Sequence, residues 1–145
     1  MKFLIINGPN LNLIGIREPA IYGKESLEHI ISWVTKQVDT IKYDLQWFQS
    51  NSEGEIINKL HWAFESKFNG IIINAGAYTH YSYAIRDAIS AINIPTVEVH
   101  LSDINLREDF RKKSVIKDVT IKQITGKGKE GYLEACLLYT SPSPR

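Results

Sequence analysis

Strand-like and helix-like segments alternate along this chain from end to end, and that alternation limits what it can fold into. Residues 2–7 (KFLIIN) and 70–74 (GIIIN) are almost wholly apolar runs. Such runs fit strands buried on both faces rather than strands with one wet face. Residues 45–49, 96–101 and 119–125 supply three more strand candidates. Between them the apolar period changes. Leu27, Ile30, Ile31, Val34, Val38 and Ile41 fall at helical spacing, which predicts a helix over 25–41. Ile56, Ile57, Leu60, Ala63, Phe64 and Phe68 predict a second, opened by a Ser52/Glu55 capping box. Ala84, Ile85, Ala88, Ile89 and Ile92 predict a third, stopped by Ile94-Pro95. A short polar helix over 104–112 and a last helix from about Glu130 complete the pattern.

Such β-α repetition predicts an α/β fold with a parallel sheet, helices on both faces and right-handed crossovers. Five strands suggest a flavodoxin-like order. The chain reads as one domain over 1–137. Residues 138–145 change character, with two prolines and two serines, and are expected to be an atypical tail, disordered or non-native.

Composition narrows the function. Seventeen basic and 16 acidic side chains give a net charge of +1, so nothing favours a nucleic-acid or membrane-surface role. No apolar run reaches the ~20 residues that span a bilayer. Met1-Lys2 runs directly into a strand, so no signal peptide is expected. The single Cys136 rules out an internal disulfide and a cysteine metal cluster. The expected location is the cytoplasm.

The chemistry concentrates where three strands end. After the first comes a long connector, GPNLNLIGIREPAIYG over 8–23, with Asn10, Asn12, Arg17 and Tyr22. A structural connection in an α/β unit needs only about 2–6 residues. After the third come Asn74, His80, Ser82 and Asp87; the fourth ends in Glu98-Val-His100-Leu-Ser102. In a parallel sheet these loops share one rim, so their polar groups meet in one crevice. A guanidinium near Tyr22 favours the phenolate, a base; equally, Tyr22 packs as a loop residue and Arg17 is solvated. Glu98 and His100, two apart on a strand, share a face. A carboxylate there fixes the imidazole tautomer and favours the acid form, or the two are unrelated. Ser102 with nearby backbone N–H groups suits a carboxylate or oxyanion, or serves as a helix N-cap. His80, expected at the start of a helix, either hydrogen-bonds a substrate or is a plain surface histidine; Asp87, about two turns on and on the same side, either joins it or forms a solvated pair with Arg86. Arg111 is a surface residue unless its helix covers the crevice. No His or Cys spacing suits a metal, and no phosphate-loop or dinucleotide glycine pattern is present.

The segments at 8–23, 49–57 (QSNSEGEII), 72–89 (IINAGAYTHYSYAIRDAI) and 97–114 (VEVHLSDINLREDFRKKS) together resemble type II 3-dehydroquinate dehydratase, up to about Tyr132. That resemblance implies a flavodoxin-like fold and removal of water from 3-dehydroquinate by anti elimination through an enolate. It implies no metal, no cofactor and a dodecamer of four trimers. The reaction would serve the shikimate pathway, leading to aromatic amino acids, or quinate breakdown. By the same resemblance Tyr22 is the base at C2, and Arg17 promotes the tyrosinate. Asn10 holds a water on the enolate. His100 is the acid for the departing hydroxyl, oriented by Glu98. Asn74, His80, Arg111 and the Leu101–Ser102 backbone contact substrate, and Asp87 reaches a neighbouring subunit's site. The connector is then expected to be a mobile lid. Two departures stand out: Ala75 replaces a usual proline, and the Ser-Pro-Ser-Pro tail has no counterpart. A flavin- or nucleotide-binding module, a phospho-receiver and an inactive relative are the competing readings. The first lacks a phosphate-cradling loop and the second an acidic pair after strand one.

Overall fold

The computed structural model describes residues 1–16 and 25–140. Five parallel strands form one sheet in the order β2-β1-β3-β4-β5: β1 (Lys2–Asn7), β2 (Asp44–Gln49), β3 (Gly70–Asn74), β4 (Thr96–His100) and β5 (Lys122–Thr125). This is the expected flavodoxin-like order. Ile71, Ile72 and Ile73 of central β3 are fully buried. Each contributes about 1.5–3 kcal/mol of hydrophobic stabilisation, which makes β3 the fixed reference for the rims beside it.

Helices cover both faces. On one, α2 (Glu53–Glu65) and α3 (Tyr83–Ile92) pack Ile56, Leu60, Ile85 and Ile89 against Leu4, Ile6, Ile71 and Ile73. On the other, α1 (Leu27–Gln37) and α5 (Lys129–Thr140) pack Ile30, Val34 and Ala135 against Ile5, Ile72 and Val97. Between them in sequence lies the single-turn α4 (Asp109–Lys112).

Several boundaries differ from the sequence reading. α1 stops at Gln37, leaving Ile41 97% exposed in the following turn. Helical spacing alone could not tell a stripe's last member from a chance apolar residue. Phe64, assigned to the α2 stripe, is also exposed, because its neighbours Ala63 and Phe68 already close that face. Half of the capping box forms: Ser52 Oγ accepts from the Glu55 N–H at 3.2 Å. The Glu55 carboxylate instead accepts from Ser50 Oγ at 2.7 Å. The polar stretch 104–112 splits into a 3-10 turn, Ile104–Leu106, and α4. β5 starts at Lys122, because Lys117–Val119 forms another 3-10 turn.

The expected tail boundary at 137 falls inside a helix. α5 continues to Thr140, and Tyr139 is anchored by its hydroxyl, which donates to the carbonyls of Ile71 (2.8 Å) and Pro95 (2.7 Å). Its ring lies 5.1 Å from that of Phe3. Residues 141–145 lie outside the described residues. Burial of Cys136 pushes its thiol up to about 12, so it is an inert core group.

One backbone crossing fixes the rim. Gly8 follows β1, and its N–H donates to the Asn74 carbonyl at 2.7 Å. A Cβ on Gly8 would lie 2.4 Å from the Ala75 carbonyl oxygen, so the strand-one and strand-three exits touch through backbone. Gly8→Ala is expected to cost about 3 kcal/mol of stability, as overpacking against rigid atoms does. Urea denaturation of the two proteins measures it. Ala75, where the resemblance leads one to expect proline, has φ −75, within the range proline imposes. The turn therefore keeps that shape without the ring.

Candidate active site

The carboxyl ends of β1, β3 and β4 converge on a cavity of about 180 Å³. Asn10, Asn74, His80, His100, Leu101, Ser102 and Arg111 all line it, as does Arg107. Eight loop and strand-end residues from three separate segments thus meet as the shared-rim argument requires. Arg17 and Tyr22 lie outside the described residues.

The His100 imidazole is the most constrained group. It ends β4 and is 6% exposed. Its Nε2 sits 2.5 Å from Glu98 Oε2, the partner two residues earlier on the same strand face. Glu98 is fully buried, and its Oε2 also accepts from Thr79 Oγ1 (2.8 Å) and Ser114 Oγ (2.7 Å). Burial by itself would raise this carboxyl. The hydrogen bond and charge of His100, with the bonds from Ser114 and Thr79, outweigh it and hold the group below its usual range. The ionised carboxylate takes the Nε2–H, which leaves Nδ1 as the ring nitrogen able to serve a ligand.

His80 closes the 3-10 turn Gly76–His80. Its Nδ1 lies 2.7 Å from the Lys113 carbonyl oxygen. A carbonyl can only accept, so Nδ1 carries a proton, and in the neutral ring Nε2 presents a lone pair. Burial, with the nearby charges of His100 and Arg111, outweighs that backbone bond and pulls His80 below its ordinary value, keeping the ring neutral. One histidine is therefore built beside a carboxylate, and the other is built as a neutral acceptor.

Asn74 ends β3, and both ends of its amide are held. Oδ1 accepts from the Gly76 N–H at 3.2 Å, and Nδ2 donates to Tyr132 Oη at 3.1 Å. The Tyr132 hydroxyl donates in turn to Asn7 Oδ1 at 2.5 Å. Tyr132, on α5, is wholly buried, and burial raises its phenol so that it stays protonated. Tyr132→Phe removes the partner of two buried amides. It is expected to lower stability by about 2 kcal/mol, read as a fall in Tm by calorimetry.

Asn10 adopts a left-handed φ of 67, a conformation asparagine tolerates better than most residues. Its N–H donates to Asn51 Oδ1 at 3.0 Å, which ties the start of the connector to the β2–α2 loop. Ser102 caps no helix: the Asp103 carboxylate takes that place, accepting from the Asn105 N–H at 2.9 Å. Ser102 Oγ instead faces Arg107, at 3.5 Å from Nη1. Arg111 pairs with Glu108 at 2.8 Å and covers the crevice wall from α4. No carboxylate lines the cavity among its described residues, whereas two guanidiniums do, so the pocket favours an anion. Asp87 is exposed on α3 and stands apart from this lining.

Four contributors escaped the sequence reading as individuals: Arg107, Thr79, Ser114 and Tyr132. Arg107 and Arg111 are i and i+4 in one polar segment, which hinted at a shared face. Thr79 and Ser114 gave no such sign, because their partner is buried behind His100. Tyr132 marked only the end of the resemblance, and nothing local tied its hydroxyl to Asn7 and Asn74.

A doubly wound parallel sheet with an acid–base pocket at its carboxyl rim defines an α/β enzyme of flavodoxin-like order. Comparison with known proteins is more specific. The chain belongs to the class II dehydroquinase family, whose model (Dehydroquinase class II) matches residues 1–139. It is 54% identical over 134 residues to the 3-dehydroquinate dehydratase of Caldicellulosiruptor bescii, covering 92% of each chain. The protein of that name from Clostridium beijerinckii is 54% identical over 135 residues, 93% of this chain and 92% of its own. The crystal structure of type II dehydroquinase from Butyrivibrio crossotus superposes with a TM-score of 0.94 at 46% identity, covering 97% of this chain and 98% of that one.

Proposed function

We propose that this chain works as a type II 3-dehydroquinate dehydratase, a hydro-lyase that removes water from 3-dehydroquinate to give 3-dehydroshikimate. Family membership supports the reaction, and the buried His100–Glu98 pair facing a cationic pocket is the observation that carries its mechanism. The substrate proton at C2 is alpha to a ketone, so its removal needs a base and a stabilised enolate. Departure of the hydroxyl needs an acid. The elimination is redox-neutral, and side chains alone balance it.

In our reading Tyr22 takes the C2 proton, with Arg17 favouring its phenolate. Asn10 orders a water on the enolate oxygen. His100, as imidazolium, protonates the departing hydroxyl from Nδ1, while Glu98 holds Nε2–H and stabilises the cation. The elimination is anti, with base and acid on opposite faces of the ring. Arg111, Asn74 and the Leu101–Ser102 backbone hold the substrate. The neutral His80 accepts from a substrate hydroxyl. Asp87, exposed and off the pocket, contributes to a neighbouring subunit's site within a trimer-based dodecamer. The enzyme acts in the cytoplasm, in aromatic biosynthesis or quinate breakdown. Among the described residues no helix is long and apolar enough to cross a membrane.

Purified protein mixed with 3-dehydroquinate is expected to produce the absorbance of a conjugated enone acid. A flat trace from folded protein would refute the assignment.

A further inference from the structure

We propose that Thr79 and Ser114 are positioning residues for the reaction, because their two hydroxyls fix the buried Glu98 carboxylate that in turn sets His100. The inference rests on the reading of His100 as the acid and adds the groups that make this possible.

A fully buried carboxylate is costly unless its oxygens are satisfied. Three donors reach Glu98 Oε2: His100 Nε2 at 2.5 Å, Ser114 Oγ at 2.7 Å and Thr79 Oγ1 at 2.8 Å. Oε1 has no partner among the described residues. All the stabilisation of the charge therefore falls on one oxygen, and two of its three donors are hydroxyls. Each hydroxyl has a single proton to give. Ser114 Oγ accepts from the Lys117 N–H at 3.2 Å, which leaves its proton for the carboxylate. The two hydroxyl oxygens are 3.2 Å apart, so they form a clamp on one side of Oε2 with the imidazole as third donor.

The clamp is held by backbone. The Val115 N–H donates to the Thr79 carbonyl at 2.8 Å, and Arg86 Nη1 donates to the Val115 carbonyl at 2.8 Å. The adjacent Lys113 carbonyl takes the proton of His80. Three consecutive residues, Lys113 to Val115, thereby set the proton on one histidine and the carboxylate behind the other. The titratable groups facing this carboxylate are His100 on β4 and His80 on the Gly76–His80 turn; His80 in turn feels the charge of Arg111 on α4. None of them replaces a hydroxyl donor on Oε2.

The test uses Thr79→Val, Ser114→Ala, the double variant and Ser114→Thr in the intact chain. Losing a charge-assisted hydrogen bond should lower kcat about tenfold for each hydroxyl removed, with KM nearly unchanged. With fewer donors the carboxyl binds its proton more readily. The acid-side limb of the kcat–pH profile should therefore move to higher pH. Ser114→Thr, which keeps the donor, should restore both rate and limb. The ¹⁵N resonance of His100 Nε2 should move in the Ala and Val variants and return in Ser114→Thr. Ser114 is only partly buried, so its variants carry the test even if Thr79→Val folds poorly. Wild-type kcat, pH limb and Nε2 resonance in folded Ser114→Ala would overturn the inference, as would a loss of stability with an unmoved pH profile. The acid assignment fails separately, if His100→Ala turns over at the wild-type rate. If His100 proves essential and the hydroxyl variants behave as wild type, only the clamp is refuted.

Discussion

His100→Ala protein should dehydrate 3-dehydroquinate about 10³-fold more slowly than the parent, within the range that positioned proton transfer provides. The loss should fall mainly on kcat, because the imidazole acts when the hydroxyl leaves. Glu98→Gln should reproduce much of it while leaving the ring in place. A neutral amide cannot stabilise the imidazolium, and it puts an NH₂ or a neutral carbonyl against Nε2. With the carbonyl accepting Nε2–H, a ring without a second proton has only a lone pair at Nδ1 and cannot protonate a departing hydroxyl; with the NH₂ donating to Nε2, the proton at Nδ1 belongs to a neutral imidazole, a far weaker acid. Steady-state kinetics on the three proteins, with circular dichroism to confirm folding, measures this. Near-parental kcat in His100→Ala would remove the acid from the scheme.

Tyr22→Phe is the second large effect. It should lower kcat by about 10²–10⁴, since phenylalanine keeps the ring but cannot take a proton. An unperturbed tyrosine has a pKa of about 10 and is a poor base near neutrality. Arg17→Ala should therefore weaken the same step, by leaving the phenol protonated. Full activity in Tyr22→Phe would move the base to another residue.

The sheet could be read directly from the sequence because its central strands are buried on both faces. GIIIN allows no other placement in a small α/β domain, and β3 matches its expected bounds residue for residue. Where one apolar residue decides a boundary, the pattern is weaker. Ile41 extends a helical stripe by one member yet projects into solvent, because burial depends on what lies opposite. The Glu98–His100 pair was legible because strand alternation puts residues two apart on one face. The Thr79–Ser114 clamp was not, since its members are 35 residues apart and meet only through the fold. Ser102 illustrates a different limit. It and Asp103 are both good capping residues, and local geometry chose Asp103. Only the boundary at 137 came too early, for a compositional reason: Ser-Pro-Ser-Pro, which lies outside the described residues, argues against helix, but Tyr139 just before it docks on β3 and the Pro95 carbonyl.

The central claim is an anti elimination with base and acid on opposite faces of the ring. Its most direct test is turnover of 3-dehydroquinate carrying deuterium stereospecifically at C2, with the label in the product read by mass spectrometry. Loss of the deuteron anti to the departing hydroxyl, with retention of the other, is the predicted result. Retention of the anti deuteron, or no turnover by folded protein, would contradict the account.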